Sequence, residues 1–344
     1  MEKLFKKLES LTLDSEEYYP AILPEMAEEG LFLPLNSGGF VEFHEKLIQL
    51  ASHEHGVGLG VGIMAQINIA GELLKKSSKS GHKMSQQVLD EIQAGRHVVS
   101  MGVSEPGWKG RLSNIKSVLK NVDGKNIIDV EKSFLTNGIH AKTFLVVVKS
   151  EEAGEYKLVL LPKDHPNLIV TKFSLPFAKE ATHCKISCKN LEIEQEYILD
   201  VPYKKYAENL RLSEMLSLAA IFTGFGIYLL EKIRGNDELM GHIKKEKDRP
   251  KRYLDSKILL DLLRARVLEL SAIKDHNPDI ELKKYFPYGT ETVSELFLNN
   301  IINIFSIDLV RSLSEDIGLF LMRDPLNEFY IHQAIKRELG VKTS

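Results

Sequence analysis

The order of apolar and polar positions divides the chain into three blocks, residues 1–100, 101–205 and 206–344. In the first block apolar residues recur at helical spacing. Residues 18–30 show this period and stop at Gly30, residues 43–51 are amphipathic, and residues 84–95 begin near Ser85 as an N-cap and end at Gly95. Ser37-Gly38-Gly39 reads as a turn between helices. In the second block the period shortens to two. Alternating residues between Met101 and Gly138 suffice for about two strands, residues 143–148 and 156–161 are further strands, and residues 162–166 form a turn. Residues 168–170 and 183–187 follow as strands. Short strands at close intervals argue a barrel or sandwich. The third block returns to helix in long periodic segments, residues 212–233, 256–273 and 292–313. Antiparallel segments of this length predict a four-helix bundle. The expected fold class is therefore α+β and multidomain: an N-terminal helical domain, a middle β-barrel and a C-terminal bundle.

Composition narrows the picture little. The 344 residues are 43% hydrophobic and 27% charged, ordinary for a globular protein with a sizeable core. A net charge of -3 gives no reason to expect nucleic acid or an anionic membrane as partner. The uncharged run 215–230 has 16 residues between Glu214 and Glu231, short of the roughly 20 that span a bilayer, and reads as a helix buried in a bundle. The first residues carry no apolar signal core, so a cytoplasmic location is expected. Cys184 and Cys188 share one strand face and read as packing, with no second pair at metal-ligand spacing. Gly56, Gly58, Gly60 and Gly62 alternate without the strand–turn–helix setting of a dinucleotide site and read as close helix packing. His53 and His55 flank Glu54; residues two apart do not share a helix face, so they make no metal pair. Residues 244–252, a charge run around Pro250, read as a solvated loop between helices.

The chemistry concentrates between Met101 and Gly138. Met101-Gly102-Val103-Ser104-Glu105-Pro106-Gly107 opens this stretch and Lys132-Ser133-Phe134-Leu135-Thr136-Asn137-Gly138 closes it. Each segment has short side chains, a hydroxyl and a nearby glycine, against which a flat ring can lie with N–H groups at its edge. Together they resemble the flavin-binding middle domain of the acyl-CoA dehydrogenase family, with Ser104-Glu105-Pro106 in the place of its Thr/Ser-Glu-Pro segment and Phe134-Leu135-Thr136-Asn137 in that of its aromatic-Ile-Thr/Ser-Asn segment. The helix, strand, helix order of blocks is also that family's order, and residues 184–199 look like its last barrel strand and exit loop. The resemblance implies FAD as cofactor, held by Met101, Val103, Ser104, Gly110, Phe134 and Thr136. It also implies an acyl-CoA substrate, an electron-transfer flavoprotein as possible partner, and a homodimer or homotetramer.

The family removes an α proton with a carboxylate while a β hydride passes to flavin. A base for so weak an acid needs a dry site. One subset of the family carries it near the C-terminus, eight residues after an Arg-Asp pair; here Arg323-Asp324 is followed at that spacing by His332. The isovaleryl-type subset carries a glutamate at the start of the first bundle helix, and Glu214-Met215-Leu216-Ser217-Leu218-Ala219-Ala220 matches that pattern without a gap, with Gly224 on a family glycine. The resemblance thus implies Glu214 as the base. A solvent-facing glutamate in a first helical turn is the bland alternative. The family's Gly-Ser-Asp, whose serine meets the pyrophosphate, reads Lys109-Gly110-Arg111, its adenine-side Arg-x-x-Phe-Gly reads Met240-Gly241-His242-Ile243-Lys244, and its late Gly-Gly turn is missing from residues 311–318. Two classes of function stay open: FAD-dependent dehydrogenation of an acyl-CoA, with a close variant on another acyl carrier or with oxygen as acceptor, or a catalytically retired relative with weak or no FAD binding that serves as a structural or interaction protein.

Overall fold

The computed structural model describes residues 1–277 and 288–322, apart from residues 14, 16, 37, 109, 152 and 153. Six helices come first: α1 (Glu2–Leu8), α2 (Tyr18–Glu28), α3 (Phe40–Ala51), α4 (Gly56–Met64), α5 (Glu72–Lys79) and α6 (Lys83–Gln93). A π-helical turn, Ala65–Gly71, joins α4 to α5, so Gly56–Lys79 runs as one helix. Glycines at every second position face different neighbours, as close packing demands: a methyl at Gly56 would strike the Leu50 carbonyl, one at Gly58 the backbone of residues 178–180, and one at Gly62 the Asn137 amide. The N-cap of α6 is His82, whose ring accepts from the Ser85 N–H, rather than Ser85 itself. The start of α3 is capped from afar, by the Asp275 carboxylate accepting from Phe40 N (2.7 Å) and Val41 N (3.0 Å). Of the turn before it, Ser37 lies outside the described residues, while Gly38 and Gly39 take positive φ as a turn requires.

Eight strands follow: β1 (Val99–Gly102), β2 (Val118–Val122), β3 (Lys125–Leu135), β4 (Thr143–Ser150), β5 (Tyr156–Pro162), β6 (Ile169–Phe173), β7 (His183–Ile193) and β8 (Ile198–Leu199). They form one sheet in the order β6-β7-β3-β2-β4-β5-β8, with β1 parallel to β4. Most pairings are antiparallel, and the end strands β6 and β8 do not pair, so the sheet is open where a closed barrel was expected. The apolar run of β4 is buried on both faces.

The chain then returns to helix: α7 (Tyr203–Arg234), α8 (Asp237–Lys245), α9 (Arg249–His276), α10 (Tyr288–Phe305), α11 (Ile307–Leu313) and α12 (Ile317–Leu321). Residues 292–313 are not one segment. Ser306 takes φ 68°, and α10 and α11 meet at 103°. The charge run 244–252 is the end of α8, a short link and the start of α9, with Pro250 in the first turn, where its missing N–H costs nothing. By length and composition Gly56–Lys79 and Tyr203–Arg234 could each cross a bilayer; 89% and 78% of their apolar windows are buried inside the fold.

Two polar networks tie the blocks together. His44 of α3 lies between Ser271 Oγ of α9 (2.7 Å) and Ser217 Oγ of α7 (2.8 Å), and Asn68 of the π-helical turn bonds Ser217 as well. Lys274 of α9 donates to Ser213 Oγ (2.9 Å) and lies over the Phe40 ring. The second network is a knot at residues 178–182. Asp316 accepts from Ala178 N (2.7 Å), the His55 ring meets Glu180 Oε1 (3.0 Å), and the Tyr19 hydroxyl lies 2.9 Å from Glu180 O and 2.8 Å from Asn137 Oδ1. His53 stacks on Phe5, and no group of three or more His, Cys, Asp or Glu placed to hold a metal exists among the described residues.

Candidate functional site

Past Gly102 the chain leaves β1 as a strap, residues 103–106, that lies against the end of β3. Ser100 Oγ donates to Thr136 O (2.5 Å) and Ser133 N to Ser104 O (2.9 Å), so the two segments singled out in the sequence lie side by side. Met101 is buried; Val103, Ser104 and Thr136 are half-buried. The pairing of β3 with β7 shifts register between Lys132 and Leu135. Such a bulge re-aims the next side chain, and Phe134 points outward, 45% exposed, edge-on to Phe173 (5.0 Å) and His183 (5.2 Å). His183 Nε2 is 3.5 Å from Thr136 Oγ1. Burial pushes His183 down to about 4, so it meets Thr136 as a neutral imidazole.

Behind the strap lies an ion pair that sequence reasoning missed. Lys132 Nζ is 2.6 Å from Glu105 Oε1, with side chains 0% and 2% exposed. Glu105 also accepts from Lys116 N (2.6 Å) and Ser117 N (3.1 Å). Burial pushes Lys132 down to about 8 against the pull of Glu105. Burial pushes the Glu105 carboxyl up, but Lys132 and the two donors outweigh it and hold it below the usual range. The signal was present: Ile128, Val130 and Lys132 occupy the inward positions of one strand, and the third is a lysine.

Asn137, the last residue of the Thr-Asn segment, is a joint rather than a ring contact. It takes φ 65°, donates from Nδ2 to Gly62 O (2.7 Å), receives the Tyr19 hydroxyl, and gives its N–H to Ala181 O (2.7 Å). Gly138 leaves no room for a side chain against Cys184. Cys184 and Cys188 are free and buried on β7, their thiols pushed up by burial to about 12 and about 11, which suits packing.

Glu214 stands apart from these segments. It was expected at the head of its helix and in a dry setting. α7 begins at Tyr203, so Glu214 lies three turns in, which also removes the first-turn alternative. Its side chain is 24% exposed and ion-paired, Oε2 lying 2.6 Å from Arg211 Nη1. The run 203–211 buries Tyr203 and Leu210 and exposes only Lys204 and Lys205, but its mixture of polar residues makes an apolar count start the helix too late. The π-helical turn 65–71 packs against both β1 and α7 and so lies between the strap and the helix bearing Glu214. Past the strap, Gly107 and Gly110 take φ 77° and 72°, and Lys109 lies outside the described residues. The indole N–H of Trp108, beside the strap, is buried without an acceptor. Residues 240–244 are part of α8, where His242 Nε2 meets Ile304 O (3.0 Å). Arg323, Asp324 and His332 lie outside the described residues.

Solved structures share this architecture over almost the whole chain. Butyryl-CoA dehydrogenase from Megasphaera elsdenii matches with a TM-score of 0.79 over 98% of this chain and 95% of its own, at 14% identity. An FAD-dependent dehydrogenase matches with a TM-score of 0.74 over 99% and 96%, at 16% identity. In sequence, mitochondrial isovaleryl-CoA dehydrogenase from Oryza sativa subsp. japonica is 26% identical over 155 residues, 42% of this chain and 37% of that protein, so the match spans well under half of its length. No protein-family profile matches the chain. The fold is that of the acyl-CoA dehydrogenases.

Proposed function

We propose that this chain is an FAD-dependent dehydrogenase of acyl-CoA thioesters. One observation carries the proposal: in a fold of this type, the strap 103–106 and the Phe134–Thr136 segment lie side by side, joined by hydrogen bonds from Ser100 and Ser133. FAD, when bound, supplies the acceptor for the β hydride. Met101, Val103, Ser104 and Thr136 would line the ring edge, and Phe134 offers the exposed face on which a flat ring can pack. The Trp108 N–H is a donor still lacking an acceptor, and Gly110 gives the close backbone approach that a phosphate needs. Glu214 takes the α proton, its carboxylate leaving the Arg211 guanidinium to do so. The local pattern of residues 214–220, which resembles the isovaleryl-type segment, supports the base in this position.

A second reading has its own support. Lys109-Gly110-Arg111 in place of Gly-Ser-Asp, and the grip of Arg211 on Glu214, favour a relative of these enzymes that has lost strong FAD binding. A titration of apo protein with FAD and a bleaching assay with short and branched acyl-CoAs separate the two. For an enzyme, Glu214→Gln keeps FAD but slows bleaching by about 10²–10⁴-fold, the usual contribution of a general base. Wild-type bleaching by that variant removes Glu214 from the mechanism. If His332→Gln alone abolishes bleaching, the base is the C-terminal one. If wild type takes up no FAD at high micromolar concentration, the non-enzymatic reading stands.

A further inference from the structure

A lysine occupies a position of β3 where the strand pattern calls for a hydrophobe. Lys132 follows Ile128 and Val130 on the inward face and is fully buried. Its stem runs beneath Gly102, where a methyl group would come within 3.0 Å of Lys132 Cγ. Its ammonium lies 2.6 Å from Glu105 Oε1 and 3.4 Å from the Val103 carbonyl oxygen. The adjacent Ser133 N–H holds the Ser104 carbonyl at 2.9 Å. Val103, Ser104 and Glu105, three of the four strap residues, are thus fixed by Lys132 and the residue beside it.

Stability alone does not account for this pair. Dehydrating two charges offsets most of what their attraction returns, and well-packed apolar residues of similar volume commonly do as well or better. What the pair adds is direction. A trans peptide is planar, with its C=O and N–H on opposite sides. With the Val103 carbonyl turned inward to Lys132, the N–H of Ser104 must face outward, toward the side on which Thr136 and Phe134 stand.

We propose that Lys132 is a positioning residue for the flavin ring: by drawing in Glu105 and the Val103 carbonyl it locks the strap with the Ser104 N–H aimed at the ring edge, a role that rests on the strap being the flavin site. Lys132 touches the strap and not the ring, so its effect is on ring affinity.

The test compares wild type with Lys132→Met/Glu105→Leu, which removes both charges at once and strands neither, and with the isosteric Glu105→Gln. Each is titrated with FAD and with riboflavin, which lacks the adenine half and isolates the ring side. The double variant is expected to melt within about 5 °C of wild type and to bind both flavins at least about tenfold more weakly. Glu105→Gln, which keeps a neutral acceptor, is expected to lose about threefold. A folded double variant with wild-type riboflavin affinity overturns the proposal, and so does an unchanged Glu105→Gln if the double variant does not fold. If wild type binds neither flavin, the flavin reading fails by itself. Amide hydrogen exchange at Ser133 then judges the lock: faster exchange in either folded variant upholds it, and unchanged protection overturns it.

Discussion

Asn137 sits in the left-handed region of backbone space, φ 65°, with both ends of its amide engaged. Asparagine tolerates that region better than most residues, and its side chain joins Tyr19 of α2 to Gly62 of α4. Asn137→Ala should cost about 2–3 kcal/mol, from the lost bond to the Gly62 carbonyl, a weakened Tyr19 contact and the strain of alanine at positive φ. Asn137→Gly keeps the conformation but not the bonds and should cost about 1 kcal/mol less; urea denaturation of the pair measures the difference. That the segments carrying Ser104 and Thr136 belong together was legible in the sequence, and the fold does lay them side by side. Asn137 was legible only as a motif letter, since a joint to Tyr19 118 positions away leaves no local pattern. Lys132 was open to reading as a charge in an apolar alternation. For Glu214 the local match carried no trace of Arg211, because an i, i+3 ion pair depends on where the helix begins.

Among the elements, α4 shows most plainly how packing overrides propensity. Four glycines in nine residues should weaken a helix, yet neighbours approach so closely that larger residues cannot enter. The glycines are not equivalent. At Gly60 a methyl meets only the Ile221 side chain, at 3.1 Å, a contact that a shift of a few tenths of an ångström relieves, so Gly60→Ala should change stability by less than about 1 kcal/mol, with helix propensity gained against slight crowding. At Gly58 it meets the backbone of Glu180 at 2.8 Å and of Ala178 at 2.9 Å, so Gly58→Ala should destabilise by about 2 kcal/mol or more. Thermal melts of the two variants decide the matter, and equal losses would refute it. Element type was readable from period alone for α2, α3, β4, β5 and α9. The turn between α10 and α11 was not, because Ser306 marks a 103° corner without glycine or proline.

At the scale of the whole molecule, burial of histidine sets the response to acid. His44, His97 and His183 are pushed by burial down to about 3, 4 and 4. As pH falls through 6.5 the unfolded chain takes up protons there that the native chain refuses, so stability drops. Asp316, pushed by burial up to about 6, acts in the opposite sense, because the native chain binds its proton first. Near pH 5 these four groups together leave about two protons in favour of the unfolded chain, or up to about 2.7 kcal/mol lost per pH unit from them. Urea midpoints at pH 7, 6 and 5 should fall progressively; a flat profile would show these imidazoles to be hydrated. The three-block order was legible because each block keeps one period for about a hundred residues. The knot at residues 178–182 was not, for its members come from every part of the chain. Tyr19 and His55 belong to the first block, Asn137 to the second and Asp316 to the third, and all meet one five-residue span. A chimaera that borrowed one block from a relative would inherit a third of a lock without its keys: Asp316 would face no Ala178 amide, His55 no Glu180. Blocks of this chain can be traded only together with the five residues on which they close.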